Sequence, residues 1–337
     1  MNMFAMLMAC KKQQFHENQT KAGEEIIDHF MSDIRYVQLA AQMQSGKTGC
    51  ALHVAFHMLL SHQIDKVYII SGGSETELRE QWKDKITSHM FEKKETHGLS
   101  EDECDMLLRS IHIVWRQDLK KSTKKFDEKY LIIWDESHFA STQKQTLHQF
   151  YTEIGLMGAI QGDTTCLTEK KSYLLSITAT RDAEQARAVG ANDGIRTKGW
   201  EMVVMHPGKS YRGVVDFKRE GCIMESCQIK EETKARFISI LRKYMGQSKY
   251  MVLRCQTTEH SKNEQILEEV KAELGIDIVH YNSKTKGDES HEVSPLLLEK
   301  APSKFTLFVV KGMLRMGKEL PKKHICAAVS YTHLRAH

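Results

Sequence analysis

Apolar residues recur along this chain in two alternating patterns. Short near-continuous runs at Tyr36–Ala40, Val67–Ile70, Ile111–Trp115, Leu131–Trp134, Tyr173–Ile177 and Met202–Val204 read as buried strands. Longer stretches between them carry apolar residues at helical spacing. Cys50–His62 does so with Ala51, Val54, Ala55, Met58 and Leu59, and Glu75–His89 reads as another helix. Strands apolar on both faces and separated by helices predict a parallel sheet covered on both sides, an α/β architecture. His206-Pro207-Gly208-Lys209 breaks the series. A second series follows, with helices over Glu232–Tyr244 and Ser261–Leu274 and strands over Tyr250–Leu253, Ile276–Tyr281, Phe305–Val310 and Ile325–Ala328. Ser283–Pro302 is polar and reads as a surface loop. The expected organisation is a first domain over residues 1–205, a connector over 206–230 and a second domain over 231–328.

Composition narrows the class. The 337 residues suffice for two or three domains, and 41% apolar with 27% charged residues argues against disorder as the main state. No apolar run reaches the ~18 residues of a membrane helix, so no membrane partner is expected. The apolar start MNMFAMLMAC is followed, not preceded, by lysines, unlike a signal peptide. Eight cysteines without a CxxC pair disfavour a zinc site or disulfide framework, and a soluble intracellular protein with reduced thiols is expected. His53 and His57 share a helix face but lack the glutamate of a metalloprotease motif. The net charge of +4 permits a nucleic-acid partner without requiring one.

The chemistry concentrates after three strands. Ala41-Gln42-Met43-Gln44-Ser45-Gly46-Lys47-Thr48 lies between a strand and a helix, the context of a phosphate-binding loop. In that setting the backbone N–H groups of Gln44, Ser45, Gly46 and their neighbours face phosphate oxygens, Lys47 reaches the β- and γ-phosphates, and Thr48 ligates Mg²⁺. Ala41 stands where the usual pattern has its first glycine. Leu131–Trp134 runs into Asp135-Glu136-Ser137-His138. Asp135 is placed to hold the metal and Glu136 to polarise an attacking water. Ser176-Ile177-Thr178-Ala179-Thr180 ends a third strand, where hydroxyls can relay a change at the γ-phosphate or simply cap the strand.

These three segments in this order resemble the superfamily 2 helicases and translocases, with their Walker A motif, DExH box and S/T-A-T motif. The resemblance implies two RecA-like parallel-sheet P-loop lobes, ATP and Mg²⁺ as cofactors, and a nucleic-acid partner, DNA rather than RNA. It gives Lys47, Asp135 and Glu136 the catalytic roles, and His138, Thr178 and Thr180 the coupling of nucleotide state to the bound strand. Ser71-Gly72-Gly73 looks like the backbone-touching motif Ia. Gln19 lies where an adenine-reading glutamine would stand, although a solvent-facing residue at a helix start is the competing reading. Thr306–Gly317 looks like motif V, so that Lys311, Arg315 and Lys318 meet nucleic acid or phosphate, or else form a solvated basic turn. The likeness leans towards DNA helicases of large viruses, phages or mobile elements, in the cytoplasm, nucleus or a viral factory.

One departure concerns motif VI, whose glutamine and paired arginines should follow Ile325–Ala328. Residues 329–337, VSYTHLRAH, instead resemble the translation of a transposon adapter used in library preparation. The expectation is an incomplete second lobe with a tail of no function. Two other functions remain open: the motor subunit of a restriction-type enzyme or protein remodeller, and a nucleotide-binding regulatory module without turnover.

Overall fold

The computed structural model describes residues 15–42, 45–71, 76–115, 126–135, 146–160, 162–178, 200–209, 211, 216, 219, 231–255, 260–282, 295–311, 320 and 323–330. The chain divides into two compact units, Met1–Gly213 and Val214–His337.

The first unit is built on six parallel strands: β1 (Tyr36–Ala41), β2 (Lys66–Ser71), β3 (Ile111–Trp115), β4 (Tyr130–Asp135), β5 (Tyr173–Thr178) and β6 (Trp200–Met205). Their order across the sheet is β3-β2-β4-β5-β1-β6, and every neighbouring pair is parallel. Successive side chains alternate between two buried layers, as the pleat requires. Val37, Leu39, Val67, Ile69, Leu131, Ile133, Leu175 and Ile177 face a layer with α1 (Glu17–Met31), α2 (Lys47–Leu60) and α3 (Thr76–His97). Tyr36, Tyr68, Ile132, Trp134 and Leu174 face an aromatic-rich layer with Phe126 and with residues of α5 (Thr146–Glu153), α6 (Met157–Ile160) and α7 (Thr165–Glu169). α4 (Glu101–Ser110) precedes β3; Ser100 and Glu103 close its first turn reciprocally, Glu103 Oε2 accepting from Ser100 N at 2.8 Å. Nearly all of α2 from Gly49 to Leu59 is buried, because α1, α3 and the sheet surround it. The narrower apolar stripe suggested by the sequence belongs to a helix with one open side; here only His57 in that stretch is exposed.

The second unit carries four parallel strands, β7 (Tyr250–Cys255), β8 (Asp277–Tyr281), β9 (Thr306–Lys311) and β10 (Ile325–Ser330), in the order β10-β7-β9-β8. α8 (Lys234–Arg242) and α9 (His260–Leu274) cover one face through Phe237, Leu241, Leu267 and Val270. The other face holds Tyr250, Val252, Tyr281, Phe308 and Val310 under Leu298. Leu298 comes from a 3₁₀ turn at Pro295–Glu299, so the end of the stretch expected to be a surface loop is part of the core. Val329 and Ser330 continue β10, paired with Leu253 and Arg254; that strand therefore runs two residues beyond Ala328. No helix among the described residues is long and apolar enough to cross a membrane.

Candidate nucleotide-binding site

Five residues join the last residue of β1, Ala41, to the first of α2, Lys47. The turn tightens at Gln42, whose carbonyl accepts from Ser45 N at 3.3 Å and from Ser45 Oγ at 2.6 Å. Gly46 follows with φ +97°, a left-handed conformation that a side chain resists. It reverses the chain directly into the helix, and its carbonyl accepts the first helical bond, from Cys50 N at 3.2 Å. Lys47 and Thr48 are thus the first two helical residues, both half-buried. The N–H groups of a first turn have no acceptor within their own helix, and partial positive charge collects there. An anion such as a phosphate fits that environment.

Two side chains on the first turn of α1 hold the outer side of this loop. Gln19 is only 4% exposed. Its Oε1 accepts from His16 N at 2.8 Å, closing the start of its own helix, and its Nε2 donates to Gly46 O at 3.0 Å. Gln19 also fills the space that a Cβ would need: one built on Gly46 or on Gly49 would stand 2.4 Å from Nε2. In this arrangement both ends of the Gln19 amide are engaged within the protein, and the side chain does not face solvent. Asn18 Nδ2 donates to Ser45 O at 3.3 Å and to His206 O, just past β6, at 3.1 Å. Neither function was apparent from motif spacing. The available signal was a polar residue on a buried stripe: Gln19 shares a helix face with Ala22, Gly23, Ile26, Ile27 and Phe30.

Asp135 ends β4, half-buried. Strand β5 lies between β4 and β1, so at ~4.8 Å per strand the two termini are ~10 Å apart. Ile177 pairs with both Leu39 and Asp135, and Asp135 also pairs with Ser71. Asp135 continues the Leu131, Ile133 alternation and belongs to the sheet face that α2 packs on. Thr178 pairs with Ala40 and belongs to the opposite face. The C-terminal edge of one sheet therefore brings together the phosphate-loop candidate, Asp135, Thr178 and the Ser71 backbone. Gln44, Gly72, Glu136, His138, Thr180, Arg315 and Lys318 lie outside the described residues.

The flank of α2 away from the loop carries a cluster of basic side chains around Phe15. Phe15 stacks on His89 with centroids 4.1 Å apart, meets His53 edge-on at 5.3 Å, and carries Lys93 Nζ 5.1 Å over its ring. Phe15 N donates to Glu92 Oε2 at 2.6 Å, fixing the approach to α1. Burial, with Lys93 nearby, pushes the His53 imidazole down to about 4. Burial lowers His57 and Lys93 as well. Burial raises the Cys50 thiol well above its usual range, so this cysteine is a packing residue in α2.

In the second unit, Lys311 closes β9 with its side chain 6% exposed. Its Nζ donates to Glu264 Oε1 of α9 at 3.1 Å. The charge expected to meet nucleic acid or phosphate is committed to that carboxylate in this arrangement. Cys255 is pushed up to about 11 by burial, against the opposing influence of Lys311.

Comparison with known proteins agrees with this geometry. The family described as Type III restriction enzyme, res subunit, matches residues 12–183. An uncharacterized protein of Acanthamoeba polyphaga mimivirus is 25% identical over 336 aligned residues, covering 94% of this chain and 77% of that protein. Among solved structures, the ATP-dependent Type ISP restriction-modification enzyme LlaBIII, bound to DNA, superposes with a TM-score of 0.56 at 12% identity. That match covers 96% of this chain but 26% of LlaBIII, so the chain spans about a quarter of that enzyme. A DEAD-box helicase bound to single-stranded RNA superposes with a TM-score of 0.53 at 15% identity, over 98% of this chain and 71% of the helicase. These superpositions establish the RecA-like fold of the helicases, and the family match spans the loop, Asp135 and β5. The chain belongs to the Type III restriction enzyme res-subunit family and has the RecA-like fold of the helicases.

Proposed function

We propose that the first unit binds ATP at the loop between β1 and α2, hydrolyses it, and uses the cycle to move along a nucleic acid, DNA in preference to RNA. The observation that carries this reading is the left-handed Gly46 leading directly into the first turn of α2, with Asp135 on the same face of the same sheet edge. The donor set fits Mg²⁺: a hydroxyl at Thr48 and a carboxylate at Asp135 are hard oxygen ligands of the kind this ion prefers. Bound there, Mg²⁺ supplies neutralising charge for the β- and γ-phosphates.

The protein's own groups do the rest. Gly46 and Lys47 present backbone N–H groups, with Gln44 and Ser45 completing the loop, and the Lys47 ammonium balances charge on the terminal phosphates. Glu136, next in sequence to Asp135, orients the attacking water. Phosphoryl transfer needs positioning and charge stabilisation more than covalent chemistry, and these groups supply both. Thr178, with Thr180 and His138, transmits the state of the terminal phosphate to the nucleic-acid contacts. Those contacts are Ser71 and Gly72 in the first unit and Arg315 in the second, with Lys311 joining them when its pair with Glu264 opens.

The test is steady-state ATP turnover with duplex DNA, single-stranded DNA or RNA added, in the wild type and Glu136→Gln. The expected result is DNA-stimulated turnover that Glu136→Gln removes while nucleotide stays bound. Nucleotide binding without turnover on any nucleic acid would leave a regulatory module and overturn the reading. The family match and the LlaBIII superposition favour a second reading, the motor of a restriction-type enzyme. Such a motor displaces a triplex-forming strand from duplex DNA without separating the duplex, and a helicase separates it.

A further inference from the structure

Asn18 is placed to do more than begin a helix. A trans peptide sets C=O and the following N–H in opposite directions. Whatever holds Ser45 O outward therefore aims Gly46 N–H inward, and whatever holds Gly46 O aims Lys47 N–H. The first carbonyl is held by Asn18 and the second by Gln19. Asn18 differs from Gln19 in its second bond. Gln19 turns back on its own helix, whereas Asn18 reaches His206 O, 188 residues away in sequence, where the chain leaves β6. The His206-Pro207-Gly208 turn abuts the same side chain: a Cβ on Gly208 would stand 3.4 Å from Asn18 Oδ1. That turn is itself closed, Tyr211 N donating to Gly208 O at 2.9 Å.

We infer that Asn18 is a positioning residue that clamps the phosphate loop to the exit of β6, so that the direction of the Gly46 N–H depends on the His206–Gly208 turn. The inference rests on the nucleotide-binding reading of the loop. A single primary amide with two hydrogens is the group suited to bridging two carbonyls. A carboxylate in its place repels both acceptors and adds negative charge behind a phosphate site.

The experiment measures the dissociation constant of fluorescent Mg·ADP, the KM and kcat for ATP, and the melting temperature without nucleotide. It uses the full chain as wild type, Asn18→Ala, Asn18→Asp, Gly208→Val and the Asn18→Ala/Gly208→Val pair. At ~1 kcal/mol per bond, Asn18→Ala is expected to weaken ADP and raise KM about fivefold, with kcat changed less than twofold. Asn18→Asp should weaken binding further, at least tenfold, with the melting temperature of both variants within a few degrees of wild type. Gly208→Val should weaken ADP and be non-additive with Asn18→Ala, since both open the same clamp. Unchanged ADP affinity in Asn18→Asp, or full additivity in the pair, overturns the inference. A wild type that binds no nucleotide instead removes the reading on which the clamp rests, and the two failures are distinguished by that first measurement.

Discussion

Two lysines stand at sheet edges in this protein, and their surroundings divide them. Lys47 opens α2 after a glycine that carries no side chain, at a helix start that favours negative charge. Lys311 closes β9 and is buried against Glu264. Both follow an apolar strand, and both fall in segments that resemble motor motifs. The difference lies in what the neighbouring elements present. The first turn of α1 offers Lys47's loop two amides that bind its carbonyls. The start of α9 offers Lys311 a carboxylate that neutralises it.

The contrast is sharpest in turnover. Lys47→Ala should lower ATP turnover about 10²–10³-fold, the scale of removing one group that stabilises charge in the transition state. Lys311→Ala should leave it within about threefold in the same steady-state assay. Equal losses would erase the distinction between the two sites.

Next come two left-handed glycines, Gly46 at φ +97° and Gly275 at φ +62°. Alanine at either carries a backbone cost of ~1–2 kcal/mol. At Gly46 it also meets Gln19, whereas no atom of the described residues lies within 4 Å of a Cβ at Gly275. Gly46→Ala should therefore raise the ADP dissociation constant more than tenfold, and Gly275→Ala should lower only stability, as thermal unfolding would show.

Acid separates the units by a smaller amount. All four tryptophans, Trp82, Trp115, Trp134 and Trp200, belong to the first unit, so their fluorescence reports its unfolding alone. His53 has a folded pKa of about 4 against 6.5 unperturbed. Between those values the unfolded state binds more protons. The stability from neutral His53 is complete above pH 6.5 and is lost as pH falls toward 4, by about 2 kcal/mol at pH 5. Urea unfolding at pH 7.5 and 5 should show this, and His53→Gln should flatten it. The smallest effect is Glu264→Gln: its partly exposed pair contributes ~1 kcal/mol or less. It should shift the far-UV transition of the second unit and leave the tryptophan signal in place.

The parts of this fold that were legible in sequence are those in which burial is continuous. β1, β2, β4, β5, β7 and β9 are strands with both faces covered, and a run such as Leu131–Trp134 has no other comfortable place. The turn from β1 into α2 was legible because a glycine-lysine-threonine run between a strand and a helix carries its own geometry. Helix α4 escaped notice although Ser100-x-x-Glu103 is a start signal, because its apolar residues are sparse. The fate of Lys311 was hidden because Glu264 lies 47 positions away. Asn18 was hidden for the same reason: its two acceptors come from the loop and from beyond β6. Long-range pairings of polar atoms leave no periodic trace.

The packing of Gln19 against Gly46 and Gly49 makes these three positions one heritable unit. While a glutamine occupies position 19, any side chain at 46 or 49 meets its amide, so single changes at either glycine are blocked from within the loop. Shortening Gln19 first would open room at 49, where no positive φ opposes a Cβ, but would not free 46, which its backbone still confines. Replacement in this corner is therefore ordered: position 19 must yield before 49 can vary, and 46 stays glycine in either case. Across related chains, a residue larger than glycine at the position of 49 should appear only beside a side chain shorter than glutamine at the position of 19.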